Sequence, residues 1–224
     1  MFDRTIKLIG EENFKKIQNA TVVVVGLGGV GGYAVESLIR SGIQNIIIVD
    51  YDTVDISNLN RQVIANQSNI GRLKVDVMEQ HILSINPNCN ITKISKKLSE
   101  ENIDELFKYS FDYLIDACDT IIVKEKIIEI CLKKKITMIS SMGTGNKLNP
   151  NELEITDISK TSYDPLAKKI RKYLKDNHIQ GKVPVVYSKE KNESFTGSIP
   201  SMVFVPATSG LLCANYIIKK IINS

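Results

Sequence analysis

Histidine is scarce in this chain, and no two cysteines are closely paired. His81 and His178 are the two histidines, and Cys89, Cys118, Cys131 and Cys213 form no C-x-x-C pair. A structural zinc site draws four such donors into one place, so no zinc is expected. The scattered cysteines read as free thiols in a reducing compartment, which makes the cytoplasm the expected location. Residues 1–10 lack the apolar core of a secretory signal. The most apolar stretch, MVFVPATSGLLCANYIIKKII, is interrupted by Pro206, Ser209, Asn215 and Lys219. It reads as a strand, a loop and a packing helix, not as a membrane span. Neither a repeat nor a proline- or glycine-rich linker divides the 224 residues, so one domain over residues 1–224 is expected. A formal charge of +4 permits an anionic partner without demanding one.

What the chain does have is concentrated in residues 21–74. Four consecutive valines, Val22 to Val25, read as a parallel strand buried on both faces, where alternation is lost. The strand runs into Gly26, Gly28 and Gly31, a G-x-G-x-x-G spacing, and residues 33–40 read as the helix that follows. Glycines let the backbone turn tightly and approach a phosphate, and the helix N-terminus presents unpaired N–H groups to its charge. Alone, the spacing says only that a nucleotide binds. Asp50 ends the next apolar strand, 19 positions after Gly31, where an acid commonly accepts hydrogen bonds from a ribose. A turn-forming role stays open for it, because Asp52 and Asp55 follow.

The rest of the chain is predicted as follows. Residues 2–18 read as one helical entry, with Arg4 at its start as a solvated charge or something more. Residues 45–50 form the second strand, 71–85 a helix, 91–94 a third strand, 100–107 a short helix and 113–119 a fourth strand with its acid at the carboxyl end. A helix over 124–133 and a fifth strand over 137–141 complete a β-α-β alternation, which predicts an α/β, doubly wound, Rossmann-like sheet that is mainly parallel. After Gly143 the character changes. Residues 153–158 alternate as in antiparallel strands, and Asp164-Pro165 opens a basic amphipathic helix over 166–175. Residues 190–198 read as a mobile loop. Lysines and arginines gather between residues 168 and 191, either as a solvated face or as a grip on a polyanion.

Between the second strand and the next helix lies a set of residues suited to adenylation of a carboxylate. Such an enzyme must neutralise a triphosphate, orient a weak nucleophile and stabilise charge moving onto pyrophosphate. Arg61 can clamp phosphate oxygens with its planar fork and Lys74 as a point charge. Asn58 can bind a ribose or phosphate oxygen without adding negative charge. Asp119 is a candidate ligand for Mg²⁺, which prefers carboxylate and phosphate oxygens. No side-chain nucleophile is required, since the substrate carboxylate attacks the α-phosphorus itself. Cys118 reads as a buried strand residue, not as a catalytic thiol.

GLGGVG, DYDTVDISNLNRQ, GRLK and DACD, taken together over residues 2–145, resemble the adenylation domain of ubiquitin-activating-enzyme-like proteins. The resemblance implies ATP and Mg²⁺ as cofactors, with Gly29, Asp50, Asn58, Arg61, Lys74 and Asp119 at the family's ATP-binding and catalytic positions. It also implies that Arg4, in FDRTIKLIG, is inserted into the site of a partner subunit, and hence a homodimer. The full expected ATP site takes in Gly26, Gly28, Gly29, Gly31, Asp50, Asp52, Ser57, Asn58, Asn60, Arg61, Lys74, Asp119 and Thr120, with Arg61, Lys74, Asp119 and Arg4 catalytic. ITDISKTSYDPLAKKIRKYLK and VPVVYSKE are similar to one branch, the tRNA threonylcarbamoyladenosine dehydratases. That similarity implies a tRNA substrate carrying threonylcarbamoyladenosine, with residues 1–145 as nucleotide-binding core and 146–224 as a substrate-facing, dimer-forming extension. A sulfur-transfer helper protein joins the candidate partners. Two other readings stand beside it: an activator of a ubiquitin-like sulfur-carrier protein, and a dinucleotide-binding Rossmann protein that would leave Arg61, Lys74 and Asp119 unused.

Overall fold

The computed structural model describes residues 1–191, 197 and 199–224. Most of the predicted mobile loop, residues 192–196 and 198, lies outside the described residues. Strand β1 (Thr21–Val25) lies between β2 (Asn45–Val49) and β4 (Tyr113–Asp116), with β3 (Asn90–Ile94) outside β2 and β5 (Thr137–Ser141) outside β4. All of these pair in parallel, Val25 standing opposite both Val49 and Asp116. β7 (Pro184–Ser188) extends β5 in parallel, and β6 (Leu153–Asp157) closes the edge antiparallel to β7. The order β3-β2-β1-β4-β5-β7-β6 is the mainly parallel, doubly wound α/β sheet, with one antiparallel edge.

Consecutive valines in β1 face opposite sides of the sheet, and both sides are covered. Val22 and Val24 pack with α2 (Glu11–Asn19), α3 (Gly31–Ser41), α4 (Lys74–Ile85) and α8 (Phe204–Ile222), through Ile17, Leu38, Met78 and Ile217. Val23 and Val25 pack with α5 (Ile103–Leu106), α6 (Ile121–Lys134) and the basic helix α7 (Pro165–Asp176), through Leu106, Ile127 and Ile170. Helix α7 begins where Asp164 caps it, its Oδ1 accepting from the Ala167 N–H at 2.9 Å.

Three predictions are corrected. The helical entry is two helices, α1 (Asp3–Ile9) and α2, because Gly10 sits at φ +84° and breaks the run. The fourth strand stops at Asp116, so Cys118 and Asp119 belong to a turn leading into α6. The predicted tail strand is the start of α8, which runs without interruption from Phe204. Pro206 falls in that helix's first turn, where its missing N–H forfeits no hydrogen bond. Residues 71–73 likewise precede α4, held by the Gly71 N–H to the Val54 carbonyl (2.8 Å) and a bridge between Thr53 and Leu73. Among the described residues no helix is long and apolar enough to cross a membrane.

Candidate active site

The strand order reverses between β1 and β4, and a ligand crevice is expected beyond the carboxyl ends of those strands. A cavity of about 340 Å³ lies there. Gly26, Gly28 and Gly29 line it from the turn after β1, Asp50 and Asp52 from the end of β2, Asn58 and Arg61 from the segment that follows, Lys74 from the start of α4, and Asp119 and Thr120 from the turn after β4. Ten of the predicted site residues thus meet at one place, although they come from three separate stretches, 26–29, 50–74 and 119–120.

Gly31 stands just behind them at the start of α3. A Cβ there would lie 1.7 Å from the Gly26 carbonyl oxygen, so only glycine lets the turn close. The first turn of α3 has no side-chain cap, leaving its N–H groups for an anion. Asp50 is held rigidly: its Oδ2 accepts from the Leu27 N–H at 2.7 Å and its Oδ1 from the Asp52 N–H at 2.8 Å. Burial raises its pKa above the ordinary carboxylate value, against the opposing charge of Lys74 and these two N–H donors. Lys74 is buried and donates to Asp52 Oδ2 at 3.1 Å.

Residues 56–58 form a short turn fixed at both ends. The Ser57 N–H donates to Asp55, and Asn58 Oδ1 accepts from the Asp55 N–H at 3.1 Å. Ser57 and Asn60 do not line the cavity. They aim Arg61, whose Nη1 donates to the Ser57 carbonyl at 2.7 Å and to Asn60 Oδ1 at 2.9 Å. Asn60 also donates to the Ser201 carbonyl, tying this loop to the C-terminal third. Arg4, on α1, does not line the cavity of its own chain.

The turn that carries Asp119 is anchored from below. Lys124 and Asp116, both without solvent exposure, pair at 2.8 Å. Ser140 Oγ donates to Asp116 Oδ2 at 2.6 Å, and Lys124 donates to Ser140 Oγ and to the Ser141 carbonyl, each at 3.0 Å. Burial, then the Asp116 charge, hold the Cys118 thiol well above its ordinary pKa, so it offers no thiolate at neutral pH.

The lining suits a nucleoside triphosphate. Gln62 is buried in the wall with its Oε1 unpartnered, as fits a wall completed by a ligand's hydroxyl or N–H. Val49, Leu98 and Val123 give the lining an apolar part, while Arg61, Lys74 and Lys96 give it cations. Among the described residues no three His, Cys, Asp or Glu side chains gather around a metal position. One carboxylate, Asp119, is enough for Mg²⁺, which takes its other ligands from phosphate and water.

The sequence profile of the ThiF family matches residues 2–224. The chain belongs to the ThiF family. A tRNA threonylcarbamoyladenosine dehydratase of Bacillus subtilis (strain 168) is 38% identical to it, over 99% of this chain and 94% of that one. The protein of the same name from Escherichia coli (strain K12) is 34% identical, over 95% of this chain and 78% of that one. The crystal structure of the E. coli tRNA N6-threonylcarbamoyladenosine dehydratase, TcdA, in complex with ATP superposes with a TM-score of 0.94 at 34% identity, covering 99% of this chain and 93% of that one.

Several residues of this ThiF-family site escaped the sequence reading. Gln62 was visible beside Arg61 but had no assigned role, and Asp116 and Lys124 lie in DACDTIIVK without a signal that they pair. Lys96, Leu98, Ser201 and Pro206 reach the cavity from distant segments that carry no motif.

Proposed function

We propose that this ThiF-family chain is an ATP-dependent tRNA threonylcarbamoyladenosine dehydratase. The observation that carries the reading is the cavity in which the glycine turn, Asp50, Arg61, Lys74 and Asp119 converge, in a chain similar almost end to end to proteins of that name.

In this reading the purine packs against Val49, Leu98 and Val123, and Asp50 accepts from the ribose hydroxyls. The glycine turn and the α3 N-terminus receive the phosphates. Arg61 and Lys74 stabilise the charge that builds on the β- and γ-phosphates as pyrophosphate leaves, and Asp119 would hold Mg²⁺, which would supply further positive charge. The threonyl carboxylate attacks the α-phosphorus, so one carboxylate oxygen becomes part of the acyl-adenylate. The carbamoyl oxygen on the same side chain then attacks the activated carbonyl, the adjacent carbamoyl N–H gives up its proton, and AMP departs with that carboxylate oxygen. The substrate thereby loses the elements of water. The second step is intramolecular, so proximity does the work that a thiol nucleophile would otherwise do.

Residues 1–145 serve as the nucleotide-binding core and 146–224 as the substrate-facing, dimer-forming extension of one adenylating unit. Arg4 acts in the cavity of a second copy. The reaction runs in the cytoplasm, where its tRNA resides, and a sulfur-transfer protein is a candidate helper.

The test is direct. Purified protein is incubated with ATP, Mg²⁺ and tRNA carrying threonylcarbamoyladenosine, and the nucleosides are weighed by mass spectrometry. The expected result is loss of one water from the modified nucleoside only when ATP is present. An unchanged nucleoside, with AMP formed only on addition of a ubiquitin-like carrier protein, would transfer the chain to the sulfur-carrier activators.

A further inference from the structure

A second groove, of about 670 Å³, opens beside the ATP cavity and shares two residues with it, Asp119 and Thr120. It runs between the N-terminal turns of α6 and the exposed side of α7. Ile121 and Ile122 lie along one wall and Tyr173 along the other. Ile122 is 54% exposed, unusual for an isoleucine on a helix whose other face is core. Tyr173 is fixed by its hydroxyl, which donates to Glu129 at 2.6 Å, so its ring stays at the groove. Lys169 and Lys172, three residues apart on α7 and both exposed, also line the groove. Its carboxylates, apart from the shared Asp119, are Glu125 and Asp176.

This combination selects its occupant. The two lysines can take a phosphate but stand among the carboxylates of Asp119, Glu125 and Asp176, so phosphate alone leaves the acids unused, and a purely apolar ligand leaves both signs unused. An unpaired nucleotide satisfies both: its flat base lies on isoleucine and tyrosine, an edge amine can donate to a carboxylate, and its phosphates run past the lysines. Resting on the function proposed above, we infer that this groove seats the adenine base of the substrate itself. The threonylcarbamoyl arm then passes the Asp119–Thr120 junction into the ATP cavity. That arm is only a few bonds long, so the base must sit directly next to the reacting carboxylate, and a groove that shares Asp119 and Thr120 with the cavity meets that requirement.

The experiment uses full-length Ile122→Glu and Lys172→Gln proteins. Both positions are exposed, so neither change threatens the core. KM for modified tRNA is measured by nucleoside mass spectrometry, and ATP affinity separately by calorimetry. Ile122→Glu is expected to raise KM for tRNA on the order of tenfold or more, as loss of a stacked base would. Lys172→Gln should weaken tRNA binding and lower the slope of log K against log salt by about 0.7. ATP affinity should stay within twofold of the parent in both. If the parent dehydrates its tRNA and both variants keep its KM and salt slope, the groove assignment is wrong and the dehydratase reading stands. If the parent itself leaves the nucleoside unchanged, the reading and the groove assignment fall together.

Discussion

The pair formed by Asp116 and Lys124 sits wholly out of solvent beneath the turn that presents Asp119. Burial, the largest influence, pulls the Lys124 pKa down, but the charge and hydrogen bond of Asp116, with Cys118 and Cys213 nearby, together leave the value above the ordinary 10.5. The folded chain therefore holds this proton more tightly than the unfolded chain does. The resulting stability is whole below about pH 10.5 and is lost as pH rises through the folded value. Denaturant melts from pH 8 to 11.5 should show wild-type stability falling at the alkaline end. Lys124→Met leaves Asp116 buried without its cation and should cost about 3–5 kcal/mol at neutral pH. That variant should show a shallower alkaline fall, the remainder coming from the cysteine thiols that burial also holds above their ordinary pKa. A Lys124→Met protein as stable as the parent at pH 7 would show that the pair contributes nothing.

Helices α3 and α8 meet at a point where no side chain fits. A Cβ on Gly210 would lie 2.2 Å from the Val30 carbonyl oxygen and 2.9 Å from the Ala34 amide nitrogen. Four residues earlier on α8, Pro206 lines the cavity, and a Cβ on Gly29 would come within 3.2 Å of the Pro206 ring. Gly210→Ala must push α8 away from α3 and carry Pro206 with it. It should lower stability by about 1–3 kcal/mol, as overpacking does, and weaken ATP binding together with it. Thermal melts and ATP titration read both, and an unchanged pair of values would mean that α8 yields at no cost. This helix also marks where the sequence stopped being readable. Val22–Val25 and Ile46–Val49 announce strands because burial on both faces leaves them continuously apolar. Met202 to Val205 has the same β-branched and aromatic look, but its neighbours fix it before and within a helix, where packing overrides propensity. The site divides in the same way. Gly26, Asp50, Arg61, Lys74 and Asp119 were legible because each sits in a short local motif at or beyond a strand end. Lys124 and Pro206 were not, because their importance arises from what the fold brings next to them.

At the scale of the whole molecule, the N-terminal helix lies at the margin of its own chain's core, which it meets through Ile9. None of the residues of α1 is buried, and Leu8 is 84% exposed. A helix of seven residues is marginal by itself, and a surface that covered Leu8 would stabilise it. Arg4 is on this helix and outside its own cavity, which already holds Arg61 and Lys74. A second copy that covers Leu8 would also let Arg4 enter the neighbouring site, adding a cation where pyrophosphate departs. Complementation separates this arrangement from one in which every chain works alone. Arg4→Ala and Asp119→Ala proteins carrying different tags are each expected to lose dehydration by about a hundredfold or more. In a purified heterodimer, the chain bearing Arg4→Ala keeps its own Asp119 and receives an intact Arg4 from its partner. One complete site then forms per dimer, and activity should return to roughly half that of the parent. The other site lacks both groups and stays silent. A heterodimer no more active than either variant alone would mean that Arg4 does not act across the interface.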